Sequence, residues 1–293
     1  MDQSSVIPAT RPVLAREGRS IGAVLIDAGR LKPKDAESIL RLQREKKLRF
    51  GDAAMKLGLL SQADIDYALS LQFDFPYLLR GQSAVSEEVI AAYSPHAPQV
   101  EALRTLRSQL LLRWFDSDRP NNALAILSAE RKDGRSFIAA NLAVVCSQLG
   151  ERTLLIDADL RNPCQHRLFG IENRVGLSAV LSGRAGLEAV QRIPSLRNLS
   201  VLPAGVLPPN PQDLLARPLF PQLLHQLAPQ VDVILLDSPA AAESADAQAI
   251  AVRAGAALIV VRKNSARSWR VQGVSDSVAQ AKATVVGTVL NSC

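Results

Sequence analysis

Apolar residues in the last two thirds of the chain form short runs that are separated by helix-like stretches. These runs predict buried strands at Leu124–Leu127, Thr153–Ile156, Leu199–Leu202, Val231–Leu236, Ala256–Val261 and Val285–Leu290. Runs without polar alternation are typical of parallel strands that are buried on both faces. Strands that alternate with helices therefore predict an α/β domain over residues 99–293, with a mostly parallel sheet and helices on both faces.

The pattern differs near the N-terminus, where the order of apolar and polar residues recurs after 29 positions. Residues 20–31 align with residues 49–60. Each copy predicts a short helix, a glycine stop at Gly29 or Gly58, and a second helix. Neither helix pair would bury its apolar face alone, so we expect the two copies to pack together. The repeat thus predicts a small all-α domain over residues 19–80.

Two further segments complete the predicted organisation of the chain. Residues 1–18, rich in Ser, Pro and Arg, predict a disordered tail. Residues 81–98 contain several Gly, Ser and Pro residues and predict a linker between the two domains.

Composition excludes several classes of protein. The net charge of +6 is spread along the chain, which argues against a nucleic-acid partner. The three cysteines form no CxxC pair, and the three histidines are scattered, so we expect a reducing compartment and no zinc site. The chain has neither the apolar segment of a signal peptide nor a run long enough to span a membrane, so we expect a cytoplasmic protein.

Candidate chemistry begins directly after the first predicted strand. The segment Ser128-Ala-Glu-Arg-Lys-Asp-Gly-Arg-Ser136 precedes a helix predicted from Phe137. It resembles the P-loop pattern GxxxxGK[ST], in which backbone amides and the helix N-terminus hold phosphates. Ala129 replaces the first glycine and Arg135 replaces the lysine, which keeps the charge but not the compact ammonium. The predicted nucleotide-binding residues are Arg131, Lys132, Asp133, Gly134, Arg135, Ser136 and Phe137.

Three aspartates follow two later strands. Asp157 and Asp159 lie at the end of the second predicted strand, in DADLRNP, and Asp237 ends another strand, in LLDSP. Open α/β sheets bind their ligands at the carboxyl ends of the strands. A P-loop serine and a strand-end aspartate hold Mg²⁺ in such proteins. We therefore expect Ser136, Asp159 and Asp237 to bind Mg²⁺.

The order of these motifs resembles that of the bacterial tyrosine kinases, a family separate from the eukaryotic protein kinases. The resemblance covers residues 99–293 and implies a P-loop NTPase-type fold that transfers phosphate from ATP to tyrosine. It implies that Asp157 accepts the tyrosine proton, that Asp159 and Arg135 also serve catalysis, and that Asn291 lies near the nucleotide base.

A further match concerns assembly. Glu101-Ala-Leu-Arg104-Thr-Leu-Arg107 resembles the ExxRxxR motif through which the family forms homo-oligomeric rings. The same spacing also occurs in any helix that carries salt bridges between neighbouring turns. Both interpretations are open at the level of sequence.

The helical repeat resembles the N-terminal domain of type II secretion and pilus-assembly ATPases, some of which bind cyclic di-GMP. The corresponding positions are residues 20–22 and residues 49–51, and the first lacks the arginine of the motif. A docking module without a ligand is the alternative that we favour. Together with the kinase domain, the repeat implies a chain-length-determinant kinase of exopolysaccharide export. Such a protein would be peripheral to the inner membrane through a membrane-embedded polysaccharide co-polymerase.

Two other functions compete with the kinase. A nucleotide-gated adaptor without catalysis is favoured by the altered P-loop and by the position of the tyrosines. Tyr67, Tyr77 and Tyr93 all precede the nucleotide domain, whereas the family carries a tyrosine-rich C-terminal tail. A partitioning-type ATPase has the same fold, but the LRNP sequence after Asp159 argues against it.

Overall fold

The computed structural model describes residues 20–72, 77–115 and 122–292. The tail predicted at residues 1–18 lies outside the described residues. The described chain divides between Ser83 and Ala84 into two compact units. Each unit has its own hydrophobic core.

The first unit is the helical repeat. It contains α1 (Ile21–Asp27), α2 (Pro33–Lys46), α3 (Phe50–Lys56) and α4 (Gln62–Gln72). Gly29 and Gly58 follow α1 and α3 with φ angles of +68° and +67°. Glycine favours this left-handed conformation, which stops a helix. Both predicted stops are therefore where the sequence pattern places them.

The core of this unit repeats with the sequence. Its buried residues fall into pairs that lie 29 positions apart: Val24 with Ala53, Leu25 with Ala54, Leu31 with Leu60, Ala36 with Ile65, and Ile39 with Ala68. Each copy contributes the same positions, so each completes the core that the other lacks. Burial of this apolar surface is the main term that stabilises the unit.

Two glycines of the repeat, Gly22 and Gly51, lie where the helices pack closely. A Cβ atom on Gly22 would lie 3.2 Å from the Phe50 ring, and one on Gly51 would lie 3.3 Å from Ile65. These two glycines belong to the segments that resemble the cyclic di-GMP motif. Close helix contact is thus sufficient to account for them.

The second unit starts with two helices, α5 (Ile90–Tyr93) and α6 (Pro98–Leu110), and a π-helical turn at Leu111–Phe115. Residues within the predicted linker 81–98 are folded here. The Asn141 side chain accepts a hydrogen bond from the Ala91 amide at 2.9 Å, and Gln148 donates to the Ala91 carbonyl at 3.0 Å. Ala91 and its apolar neighbours are buried, which fixes this segment in the α/β unit.

The remaining elements form the α/β sheet and its helices. The strands are β1 (Ala123–Ser128), β2 (Thr153–Asp157), β3 (Gln191–Arg192), β4 (Leu199–Leu202), β5 (Val233–Asp237), β6 (Ala256–Arg262) and β7 (Thr284–Asn291). The helices are α7 (Arg135–Leu149), α8 (Gln165–Phe169), α9 (Leu177–Leu181), α10 (Pro211–Ala216), α11 (Leu219–Leu227), α12 (Asp246–Ala254) and α13 (Ser268–Gln280). Short 3₁₀ turns occupy Leu187–Ala189 and Ala228–Gln230.

The strand order is β3-β4-β2-β5-β1-β6-β7. All neighbouring pairs are parallel except β3 with β4. The predicted mostly parallel α/β sheet is confirmed. The short strand β3 was not predicted, because two residues carry too little pattern to be recognised.

Because β1, β2 and β5 are adjacent and parallel, their carboxyl ends meet at one edge of the sheet. Residues in all three strands are fully buried, which explains their unbroken apolar runs. No helix of the described residues is both long and apolar enough to cross a membrane.

Candidate active site

The loop between β1 and α7 has the backbone of a phosphate-binding turn. Lys132 and Gly134 both have positive φ angles, +64° and +94°. A Cβ atom on Gly134 would lie only 1.9 Å from the Asn291 side chain, so only glycine fits. Asn291 donates a hydrogen bond to the Asp133 carbonyl at 3.0 Å. The end of β7 therefore holds the loop in place.

The outer side of the loop is fixed by ion pairs. Arg131 pairs with Glu243 at 2.6 Å, and Glu130 pairs with Arg270 at 3.0 Å. Inside the loop, the Asp133 carboxylate accepts a hydrogen bond from the Glu130 amide at 3.0 Å. Burial raises the pKa of Asp133. These contacts fix the conformation of the loop.

Two buried aspartates face each other across neighbouring strands. Asp157 ends β2 and Asp237 ends β5, and the two are partners in the parallel register. One Asp157 oxygen accepts hydrogen bonds from the amides of Cys164 and Gln165, at 3.0 and 2.9 Å. The other oxygen has no hydrogen-bond partner. Burial, followed by the charge of Asp237, raises the pKa of Asp157 well above its ordinary value.

Asp237 is bound by residues that the sequence does not place beside it. Gln165 donates to one of its oxygens at 2.7 Å, and the Ser136 side chain also hydrogen-bonds to it. The other oxygen has no hydrogen bond. Burial raises the pKa of Asp237, although Arg135, Gln165 and Ser136 oppose the effect. Sequence reasoning missed Gln165, whose only signal is its position at the start of a helix just after DADLRNP.

Asp159 begins the connection after β2. One of its oxygens accepts hydrogen bonds from the amides of Arg161 and Asn162, at 3.1 and 2.8 Å. Arg161 in turn forms an ion pair with Asp246 at 2.7 Å. Asp246 is fully buried at the start of α12. This pair holds the DADLRNP turn against α12. Arg161 and Asp246 are far apart in the sequence, so motif analysis does not detect the pair.

Arg135 lies among these carboxylates. Its guanidinium donates to the Ser238 carbonyl, and to the Ser128 hydroxyl at 2.5 Å. It lies 3.7 Å from Asp159 and 3.9 Å from Asp237. The side chain is 9% exposed. The structure thus brings Ser136, Asp157, Asp159, Asp237 and Arg135 together at one edge of the sheet.

The residues fit a nucleotide with Mg²⁺. Two buried carboxylate oxygens, on Asp157 and Asp237, lack hydrogen-bond partners, and the loop leads through Gly134 into the N-terminus of α7, where backbone amides can bind phosphate. Within the described ranges, no three His, Cys, Asp or Glu side chains converge on a metal position. Mg²⁺ sites of this kind use one or two carboxylates, with phosphate and water oxygens supplying much of the rest of the shell.

A cavity of about 290 Å³ lies beside the loop. It is lined by the start of α7, by α6 and by the end of β7, including Phe137, Leu106 and Asn291. Phe137 and Asn291, two of the predicted nucleotide-binding residues, therefore line this cavity rather than the carboxylate cluster.

The residues of the predicted assembly motif differ in their exposure and contacts. The Glu101 side chain is 70% exposed and pairs with Arg104 at 2.9 Å along the same helix. Arg107 is buried and donates to the Val145 carbonyl of α7 at 2.7 Å. Arg107 is thus a contact within the protomer, whereas Glu101 lies on the surface.

Comparison with known proteins identifies the family. YwqD, a tyrosine-protein kinase of Bacillus subtilis, is 32% identical over 209 residues, which are 71% of this chain and 87% of YwqD. The chain belongs to the bacterial tyrosine-kinase family. The kinase domain of the Escherichia coli tyrosine kinase ETK has the same fold, with a TM-score of 0.68 and 30% identity over 72% of this chain and 82% of that domain.

Other comparisons limit what this membership implies. The tyrosine-protein kinase wzc of Salmonella typhimurium is 32% identical over 70% of this chain, but the match spans only 28% of wzc. MinD of Pyrococcus horikoshii, solved with Mg-ADP, has a TM-score of 0.52 and 25% identity over 58% of this chain and 70% of that one. It is less similar than the ETK kinase domain. No family model matches the chain.

Proposed function

We propose that this protein is an ATP-dependent protein-tyrosine kinase that regulates exopolysaccharide chain length and export. The observation that carries the proposal is the meeting of Asp157, Asp159, Asp237 and Ser136 at the carboxyl edge of β1, β2 and β5, directly beside a P-loop-like turn. Family membership supports phosphotransfer to tyrosine as the reaction. The lower similarity to MinD does not favour a partitioning-type ATPase.

In this proposal the loop residues 131–137 bind the phosphates of ATP, largely through backbone amides. Ser136, Asp159 and Asp237 hold Mg²⁺, which neutralises phosphate charge when it is bound. Ser136 already hydrogen-bonds to Asp237, so two of the three groups are in contact. Catalysis then depends mainly on positioning and charge stabilisation.

Asp157 is the candidate base for the tyrosine hydroxyl. Its second oxygen has no hydrogen bond, and burial together with the charge of Asp237 raises the pKa of Asp157, which makes its carboxylate a stronger base. The two amides from α8 hold the first oxygen and fix the carboxylate plane.

The cavity beside Phe137 and Asn291 is the candidate site of the nucleotide base. Its volume of about 290 Å³ is close to the lower limit of small-molecule pockets. Since α6 forms one wall, a base in this cavity would contact the helix that carries Glu101. Nucleotide binding and ring assembly would then share an element.

The partners belong to the same proposal. A membrane-embedded polysaccharide co-polymerase would hold the kinase at the inner membrane, and copies of the chain would form a ring. Cyclic di-GMP at the helical repeat stays a prediction. Arg49 is exposed at the start of α3, where it is accessible to such an anion, but the glycines beside it serve packing.

The test compares three activities of the full chain: binding of ATP·Mg²⁺, ATP hydrolysis and phosphate transfer to tyrosine. We expect all of the transferred label on tyrosine. Asp157→Asn should abolish transfer while ATP binding persists, and Asp213→Asn, an exposed aspartate on α10, should leave transfer unchanged. Binding without transfer would instead support a nucleotide-gated adaptor. Hydrolysis without transfer would support an ATPase, and no binding at millimolar ATP would contradict the proposal.

A further inference from the structure

Arg135 is the cation in contact with the carboxylates of this site. Its guanidinium lies 3.7 Å from Asp159 and 3.9 Å from Asp237. Among the described residues, no other lysine or arginine forms an ion pair with either aspartate. Within the described part of the chain, Arg135 is therefore the one basic side chain within 4 Å of Asp159 and Asp237, whereas Arg161, which pairs with Asp246, acts on Asp159 from a longer distance.

The other contacts of the guanidinium hold it in this position. It donates to the Ser238 carbonyl after β5 and to the Ser128 hydroxyl at the end of β1, at 2.5 Å in the second case. An arginine presents its N–H groups in a rigid planar fork, so it can reach partners in several directions at once. A lysine ammonium is a compact point charge on a flexible stem and cannot reproduce this set. The arginine at the P-loop lysine position is thus built into the carboxylate cluster.

Asp159 and Asp237 are also the residues that we propose to hold Mg²⁺. The guanidinium of Arg135 lies 3.7–3.9 Å from these two carboxylates. A divalent cation bound to the same carboxylates would lie close to the guanidinium, and the two positive charges repel each other. Phosphates bring a competing anion for the guanidinium, and arginine binds phosphate through paired hydrogen bonds.

We propose that Arg135 is a tethered counter-ion that competes with the divalent cation for Asp159 and Asp237 and that moves to the phosphates when a nucleotide binds. Arg135 is then a positioning residue that couples metal entry to nucleotide entry. The inference rests on the proposed function for the identity of the ligands, but not on phosphate transfer. It also gives the lysine-to-arginine change a role beyond conservation of charge.

The proposal predicts effects of opposite sign for one substitution. Arg135→Gln removes the competing charge and should therefore tighten binding of Mn²⁺, used alone as the metal probe, by roughly tenfold. The same substitution removes a phosphate ligand and should weaken binding of a fluorescent ATP analogue with Mg²⁺ by roughly tenfold. A role in folding alone would weaken both interactions.

The experiment measures free Mn²⁺ by electron paramagnetic resonance in the nucleotide-free full chain, and analogue binding by fluorescence anisotropy. Arg267→Gln is the matched control, because Arg267 is exposed directly before α13 and forms no ion pair with Asp159 or Asp237 among the described residues. It should change Mn²⁺ affinity by less than about twofold. Arg135→Lys, which keeps the charge but loses the fork, should give a Mn²⁺ affinity between wild type and Arg135→Gln.

Unchanged or weaker Mn²⁺ binding by Arg135→Gln, in protein that melts like wild type, would overturn the inference. If Arg135→Gln does not fold, Arg135→Lys provides the test. A Mn²⁺ affinity of Arg135→Lys that is no higher than that of wild type would then overturn the inference. Absence of tyrosine phosphorylation together with tighter Mn²⁺ binding would remove the kinase function and leave this inference standing. Different experimental results would therefore contradict the kinase function and the counter-ion role of Arg135.

Discussion

Lys132 adopts a left-handed backbone conformation, with φ of +64°, which glycine adopts more readily than residues with a side chain. Residues with a Cβ atom adopt this conformation at a cost of about 1–2 kcal/mol. The strain is local and is offset by the contacts that fix the loop on both sides.

Lys132→Gly should raise the free energy of unfolding by about 0.5–1 kcal/mol, because relief of the strain exceeds the extra chain entropy of glycine. Urea unfolding of the full chain, followed for the α/β unit, measures the change. Lys263→Gly is the control: Lys263 is exposed and its φ is not positive, so this change should lower stability. A loss of stability in Lys132→Gly would show that the loop carries no strain.

Gly134 should not tolerate even alanine. A Cβ atom would lie 1.9 Å from Asn291 Nδ2 and would sit on a backbone with φ of +94°. We expect Gly134→Ala to weaken ATP·Mg²⁺ binding by more than about tenfold, since the loop must move to relieve the clash. The double variant Gly134→Ala with Asn291→Ala should recover part of the affinity, because the clash is removed while the backbone strain persists. Full recovery would show that strain is unimportant.

At the scale of elements, the residues of the α6 motif lie in different environments. Arg107 faces α7 and binds a buried carbonyl, while Glu101 faces solvent on the same helix. Substitution of both arginines together would therefore mix loss of folding with loss of assembly. Single substitutions can separate them.

Arg107→Ala should lower the free energy of unfolding by about 1.5–3 kcal/mol, the range for a hydrogen bond to a charged group. Glu101→Ala should leave the melting temperature unchanged but reduce oligomer mass in light scattering, if the motif serves the ring. Unchanged mass in Glu101→Ala would restrict the motif to a salt bridge within the helix.

In the helical repeat, an ion pair joins the two copies. Arg30, after α1, pairs with Asp64 of α4 at 2.6 Å, so the turn of one copy is joined to the helix of the other. Burial raises the pKa of Asp64, but hydrogen bonds from the Ser61 side chain and amide and from Arg30 outweigh it. The pKa of Asp64 is therefore below its ordinary value of 3.8.

A lowered folded-state pKa means that the unfolded chain binds this proton first. The contribution of Asp64 to stability is thus present above the ordinary pKa of 3.8 and is lost as pH falls through the lower folded value. We expect unfolding of the helical unit to show this loss below about pH 4. Asp64→Asn should remove that component of the pH dependence. Identical pH profiles for the two proteins would contradict the link.

At the scale of the whole molecule, each of the two units has its own core. The helical core consists of pairs contributed equally by the two copies. We expect a fragment of residues 19–80 to unfold cooperatively by circular dichroism. A fragment of residues 19–47, which holds one copy, should not fold, because its apolar face has no partner. A gradual, noncooperative transition of the longer fragment would contradict its independence.

Much of the architecture was determined by local pattern in the sequence. Apolar runs and helical stretches are local properties, so they predicted the parallel sheet and its principal strands. The self-match after 29 residues predicted the paired helices, because each copy repeats the same buried positions. The motifs at Gly134, Asp157 and Asp237 predicted which edge would carry the site, since parallel strands place their carboxyl ends together.

Only the tertiary structure decided how these residues meet. Strand order brings β2, β5 and β1 side by side, and this order sets Asp157 opposite Asp237 and Arg135 among them. Asp246 and the burial of Arg107 have no local sequence signal, and Gln165 has only its position at the start of a helix after DADLRNP, because the partners of all three lie far along the chain. Sequence motifs specify which groups are available, whereas packing between distant segments fixes their distances, burial and charge balance.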